Sequence, residues 1–142
     1  MTLRDDSGNA IVEVALLVPA LIVPLVWLAV SIALAVSGQS AATLAAREAA
    51  RAYVRAADVA TATRAARSVA VAVTRAGTAP LGSPAVHIKC SSTNCLAPNT
   101  RIDVTVNTTV ALGFLPKPFG AAPTWSVTGK ASALVDPYRE QP

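Results

Sequence analysis

Aromatic side chains and histidine are scarce in this chain of 142 residues, which has two Trp, two Tyr, two Phe and one His. Because bulky side chains are few, any folded core must be thin and would gain from covalent staples or from partner chains. The sequence also lacks a nucleophile elbow, a glycine-rich phosphate loop and paired carboxylates. We therefore expect a protein that is not an enzyme and that uses no cofactor.

Formal charge is absent from residues 14–36, a run of 23 residues. As a helix this run is about 35 Å long, enough for a hydrocarbon core of about 30 Å. The sequence therefore predicts one membrane span. Pro19 and Pro24 lie inside it, and each removes a backbone hydrogen bond that lipid cannot replace, so we expect a helix kink there.

Glu13 stands directly before this span, five positions after Gly8. An acidic side chain in a transmembrane helix costs about 3 kcal/mol at the centre and is usually retained for function. A cleaved secretory signal peptide would have a shorter apolar run without an acid at its front edge, so it is disfavoured. An uncleaved signal anchor that begins with glutamate is the alternative that stays open.

Topology follows from two opposing signals. Arg47, Arg51 and Arg55 follow the span, and a count of basic residues favours keeping the carboxyl-terminal part inside. Long domains translocate largely regardless of charge, however, and Cys90 and Cys95 suit an oxidising compartment. We therefore expect the part after the span to lie outside the cytoplasmic membrane.

Cys90 and Cys95 bracket a four-residue polar turn. A disulfide between them would pin that turn and contribute about 2 kcal/mol by the chain-entropy estimate. A zinc site that includes His87 is the sharper alternative, but at most three soft ligands are near, whereas structural zinc takes four. We therefore favour the disulfide and expect no metal.

The part after the span is rich in alanine and then in β-branched residues. Residues 39–76 contain no proline and predict a helix, with Gly38 as a bend and Asp58 as a candidate break or cap. Alternation of apolar and polar residues then predicts half-buried strands. The strands are expected within 85–90, 101–112 and 125–135, with a proline- and glycine-rich connection at 113–123. The fold class is α+β, a long amino-terminal helix packed on a small antiparallel sheet of about three strands.

The start of the chain resembles the class III signal of type IV pilins and pseudopilins. Within that group it is most similar to the TadE-like pseudopilins of tight-adherence (Tad, or Flp) pilus systems. The matching pieces are the run from Gly8 to Glu13, Pro19 in the apolar helix, the alanine- and arginine-rich helix, and a last strand that runs into the acidic tail at 136–140.

The resemblance implies a prepilin leader of residues 1–8, removed by a prepilin peptidase that cuts after Gly8, so that Asn9 becomes the first residue. Residues 9–37 would be the transmembrane and filament-packing segment, and residues 38–142 the extracytoplasmic domain. Glu13 would act in assembly and register, because its carboxylate can pair with the new α-amino group at Asn9 or with that of a neighbouring subunit.

A structural role in a pilus is the function that the resemblance implies. The chain would be a minor pilin or pseudopilin, held in the inner membrane with its carboxyl-terminal domain outside and carried to the cell surface on assembly. Its partners would be other pilin subunits, the assembly platform and the peptidase. The alternative is a single-pass, membrane-anchored extracytoplasmic binding protein that is neither processed nor assembled.

The arginines after the span allow two interpretations. Arg47, Arg51 and Arg55 recur every four residues and so form a stripe on one helix face. A solvated or subunit-facing surface is the favoured interpretation. Weak binding to DNA or to acidic surface polymers is the alternative.

Overall fold

The computed structural model of the protein describes residues 7–112 and 123–138, with side chains from residue 14 onward. The elements in chain order are α1 (Ser7–Arg55), α2 (Val59–Ala76), β1 (Ala85–Cys90), β2 (Arg101–Ala111) and β3 (Thr124–Leu134). Their contacts divide the chain into two units, Met1–Ala33 and Leu34–Pro142. Most of the expected leader, and residues 113–122 of the expected connection, lie outside the described residues.

The first unit, where described, is the apolar part of α1. Its leucines face outward, and Leu16, Leu17 and Leu21 are 70%, 61% and 65% exposed. Apolar exposure on this scale fits a helix whose surroundings are lipid. Within the described residues, one helix is long and apolar enough to cross a membrane, and it is this one.

The second unit is built on a three-stranded antiparallel sheet in the order β1-β2-β3. The central strand β2 pairs with β1 from Ile102 to Asn107, and with β3 along its full length. Buried and exposed residues alternate along β2, as its sequence predicts. The α+β class and the three strands are therefore confirmed.

Both helices of the second unit cover the same face of this sheet. Their buried residues recur every three or four positions and are nearly all alanine: Ala42, Ala45, Ala46, Ala49, Ala50 and Tyr53 in α1, and Ala62, Ala66 and Ala70 in α2. All of them except Ala42 pack with Ile102, Val104 and Val106 of β2 in one apolar cluster. Ala42 packs with Val110 and Val127 in a second, smaller cluster. Apart from Tyr53, the helical side of the core consists of small side chains, in line with the scarcity of aromatic residues.

The helix expected over 39–76 is two helices, because α1 ends at Arg55 and α2 begins at Val59. Asp58 is the N-cap of α2, and its Oδ1 accepts a hydrogen bond from the N–H of Thr61 at 2.8 Å. That hydrogen bond lowers the pKa of Asp58 below its ordinary value of 3.8. The cap is therefore charged at neutral pH, and its stabilising effect is lost only as the pH falls through the lowered pKa.

The second helix turns back alongside the first. A three-residue connection joins them, and a Cβ built on Gly77 at the end of α2 would lie 3.6 Å from the Cβ of Ala41 in α1. The two helices are therefore an antiparallel pair lying on the sheet. Their outward surfaces form one helical layer on the side away from the strands.

Two glycines let α1 approach the sheet closely. A Cβ on Gly129 of β3 would overlap the backbone of α1 at the Ala42 carbonyl, and a Cβ on Gly38 would overlap Cγ2 of Val110. α1 passes through Gly38 without interruption, and a bend at this residue stays a prediction. What the structure shows at Gly38 is close packing against Val110.

The Gly129→Ala variant should destabilise the second unit by about 1–3 kcal/mol, because the added methyl group pushes α1 away from the sheet. Thermal unfolding of the purified chain in detergent, followed by circular dichroism, measures the effect. Gly77→Ala is the matched control, because its new Cβ would meet Ala41 at an ordinary 3.6 Å. Equal melting temperatures for the two variants would contradict the role given to Gly129.

Candidate functional site

The residues expected to be cut and to guide assembly lie in the first turns of α1. This helix begins at Ser7, so Gly8, Asn9 and Glu13 are all within it. Glu13 follows Gly8 by five positions, which corresponds to about 7.5 Å along the helix axis. Their side chains lie outside the described residues, and the cut after Gly8 and the pairing of Glu13 stay predictions.

Pro19 and Pro24 both lie inside α1. A proline has no backbone N–H, so the carbonyl groups four residues earlier, at Ala15 and Ala20, lose their usual helical donors. In lipid, such carbonyl groups need other partners, which makes this stretch the least internally bonded part of the apolar helix. The kink itself stays a prediction.

A disulfide joins Cys90, the last residue of β1, to Cys95, as predicted. The loop that it closes is also held by hydrogen bonds, since Ser92 Oγ donates to the Asn94 carbonyl at 2.7 Å. Leu96, next to the second cysteine, is 8% exposed and belongs to the main core. The disulfide therefore anchors the turn between β1 and β2 to the core.

The alternative zinc site lacks available cysteine ligands in this structure. Both thiols are consumed by the disulfide, so neither is available to a metal. His87 is exposed on β1. In the part of the chain that the structure describes, no three His, Cys, Asp or Glu side chains come together in a group that could hold a metal ion.

The predicted arginine stripe lies on the exposed side of α1, opposite the buried alanines. The sequence interpretation missed its extension onto α2, where three more arginines are exposed opposite Ala62, Ala66 and Ala70. We call the combined surface the arginine face. Its members are Arg47, Arg51, Arg55, Arg64, Arg67 and Arg75. The signal that could have revealed the second half is the four-residue spacing of those alanines, which defines the buried side of α2.

Little within the protein neutralises this face. Glu48 and Asp58 are the acidic residues of the helical layer, so six arginines against two carboxylates leave an excess of four positive charges. Arg51 Nη1 lies 3.3 Å from Glu48 Oε1, but the two side chains are 67% and 38% exposed, so the pair contributes little stability. The positive charge of the layer is therefore open to the surroundings.

The sheet face that the helices leave uncovered is polar, and unlike the arginine face it carries charges of both signs close together. Arg101 Nε lies 3.2 Å from Asp103 Oδ1, and Thr128 Oγ1 donates to Asn107 Oδ1 at 2.9 Å. Both pairs are exposed to solvent. This face therefore offers a polar, hydrated surface.

The described residues thus form an α+β protein, with a long amino-terminal helix that is apolar at its start and packs further on against three antiparallel strands. Residues 8–51 match the family model described as TadE-like protein. The match begins at Gly8 and includes Glu13, both prolines and the first two arginines of the stripe. The resemblance to TadE-like proteins is therefore confirmed, and this family is a structural, pilin-type one rather than a family of enzymes. Comparisons with curated proteins and with solved structures gave no match.

Replacing Cys90 and Cys95 together by serine should lower the free energy of unfolding by about 2 kcal/mol, because the closed loop is short. Chemical unfolding of the full chain measures the difference. Adding a reductant should destabilise the wild type to a similar extent and leave the double variant unchanged. A reductant effect of equal size on both proteins would contradict the assignment.

Proposed function

We propose that the protein is a structural subunit of a Tad-type pilus, a minor pilin or pseudopilin needed for assembly or its initiation. The observation that carries this proposal is the TadE-like match over residues 8–51 on α1, a helix that is apolar from Val14 and packed by alanines on a sheet from Ala42. In such a subunit, the apolar segment holds the protein in the membrane before assembly and packs against other subunits in the fibre afterwards. The polar domain stays outside that packing.

The proposed processing step creates a charge where Glu13 can use it. Hydrolysis of the bond between Gly8 and Asn9 leaves a carboxylate on the leader and an α-amino group on Asn9, which is positively charged at neutral pH. Glu13 lies four residues further on, a spacing that puts the two groups on the same helix face. The Glu13 carboxylate could pair equally well with the amino terminus of a neighbouring subunit. A pair between subunits would set the register between them.

The disulfide supports the proposed location. Disulfides persist in oxidising compartments and are rare in the cytosol, so the bonded pair Cys90–Cys95 favours a domain outside the inner membrane. The apolar helix would then cross the membrane with its amino terminus inside, where a prepilin peptidase acts on it. After assembly, the subunit would be found on the cell surface.

Processing is tested by the intact mass of the membrane-extracted protein from cells with and without an active prepilin peptidase. We expect residues 1–8 to be missing only when the peptidase is active, because the small residue Gly8 leaves the peptide bond at the start of the helix sterically accessible to the enzyme. An uncut chain in peptidase-positive cells would favour the other candidate, a membrane-anchored binding protein.

The Glu13→Ala variant should insert into the membrane normally and enter filaments poorly, because it lacks the carboxylate that pairs with the amino terminus. A lost pair worth about 1.4 kcal/mol would lower incorporation about tenfold. The amount of subunit in sheared filaments, relative to the amount in membranes, measures this. Glu13→Asp keeps the charge and should retain more incorporation, whereas wild-type yield for Glu13→Ala would contradict the assigned role.

The arginine stripe is what favours the second candidate function. A membrane-anchored protein with exposed Arg47, Arg51 and Arg55 could bind polyanions weakly through them. Binding of DNA or acidic surface polymers at this stripe stays a prediction. Such binding is compatible with pilus assembly, because one helix face can bind a polyanion while a different face, at another time, contacts a subunit.

A further inference from the structure

The arginine face is the largest concentration of unneutralised charge in the described part of the chain. We propose that it binds double-stranded DNA through the phosphate backbone, without reading the base sequence, and that both helices take part. This inference deepens the polyanion binding predicted for the stripe on α1, because it names the polymer and the whole surface that holds it. It depends neither on cleavage after Gly8 nor on filament assembly.

Four of the six guanidinium groups of the face are available for this contact. In the described part of the chain, Arg47, Arg55, Arg67 and Arg75 form no salt bridge, and all four are exposed. Guanidinium groups bind phosphate oxygens through paired, charge-assisted hydrogen bonds. Duplex DNA carries one negative charge about every 1.7 Å along its axis, so it supplies these acceptor oxygens at high density.

The arginines of the face form two rows, one on each helix. Arg47, Arg51 and Arg55 follow one another on α1 at a helical rise of about 6 Å. The row on α2 extends from Arg64 to Arg75, a rise of about 16 Å. Because the axes of packed helices lie about 8–10 Å apart, the two rows run side by side. A thin polymer chain follows one row at a time, whereas the two strands that border the minor groove of a duplex, about 6 Å wide, present two rows of phosphates together.

The composition of the helical layer predicts binding that is independent of base sequence. Residues 41–76 contain neither Asn nor Gln, the side chains that recognise adenine in the major groove. Tyr53 is their one aromatic residue and is 2% exposed, so the layer has no platform on which unpaired bases stack. Two helices lying flat on a sheet are also too broad for a major groove that admits one helix. The contacts are therefore with phosphates, and a duplex is favoured over a single strand.

The test measures the binding of a fluorescent duplex of about 20 base pairs to the full chain in micelles of an uncharged detergent, by fluorescence anisotropy. With four arginines on phosphates, the affinity should fall about 150-fold between about 50 and 200 mM salt, because each contact releases a counterion. A duplex of unrelated sequence should bind equally well, and a single strand of the same length about tenfold more weakly. A strong preference between the two duplexes, or equal binding of duplex and single strand, would overturn the proposal.

Two variants of equal net charge test whether the face itself is responsible. The first carries Arg47→Gln, Arg55→Gln and Arg67→Gln. The second, on the uncovered side of the sheet, carries Lys89→Gln, Arg101→Gln and Lys130→Gln. The loss of three phosphate contacts should reduce the salt effect on the first variant to about 3.5-fold over the same range, whereas the second variant should behave like the wild type. Equal losses in both variants would show an effect of net charge alone and contradict the proposal.

Competition and filament yield separate this inference from the other interpretations of the face. Inorganic polyphosphate is a thin chain with similar charged groups, so it should displace the duplex about tenfold less well at equal charge, and equal displacement would overturn the assignment to DNA. The first triple variant should enter sheared filaments like the wild type. If it is lost from filaments and still binds the duplex, the face contacts a subunit instead. A wild-type chain that is cut and assembled but does not bind the duplex sinks this inference alone and leaves the pilus role intact.

Discussion

Close contact between the backbone of α1 and strand β3 is the constraint on which the second unit depends. The Ala42 carbonyl occupies the space that a side chain at position 129 would need, so Gly129 determines how near the helix can lie. This close approach favours small side chains between the helix and the sheet, in agreement with the alanines on the helical side of the core, where Tyr53 is the one large side chain. A core of this kind buries little area per residue and depends on close packing for its stability.

The same constraint places the apolar and the charged side chains of α1 on opposite sides of the helix. With alanines turned to the sheet, the long charged side chains of α1 are left on the opposite side, where they join those of α2 in the arginine face. The TadE-like match covers residues 8–51, so it spans both the apolar start and the first part of this packed helix. An apolar segment, sheet packing and an open basic surface are thus combined in one helix, and each uses different residues of it.

Secondary-structure elements with a clear periodicity of apolar residues could be predicted from the sequence. The strands observed at Ala85–Cys90, Arg101–Ala111 and Thr124–Leu134 agree with the expected ranges, because alternation with β-branched residues is a local property of the chain. The helix over 39–76 was predicted as one element because alanine and arginine favour helix throughout. Its interruption coincides with Asp58, whose Oδ1 accepts a hydrogen bond from the N–H of Thr61 and so caps α2, and α2 then returns onto the sheet.

Several features could be derived without coordinates, because each is encoded in neighbouring residues or in simple periodicity: the apolar span, the spacing of Gly8 and Glu13, the α+β class, the cysteine pair and the TadE-like resemblance. The close packing at Gly38 and Gly129, and the surface that Arg64, Arg67 and Arg75 share with the stripe on α1, became visible only in the folded chain. The physical reason is that these features depend on which elements touch. That is set by the fit of α1 and α2 against the sheet and not by the helix-forming tendency of any one segment.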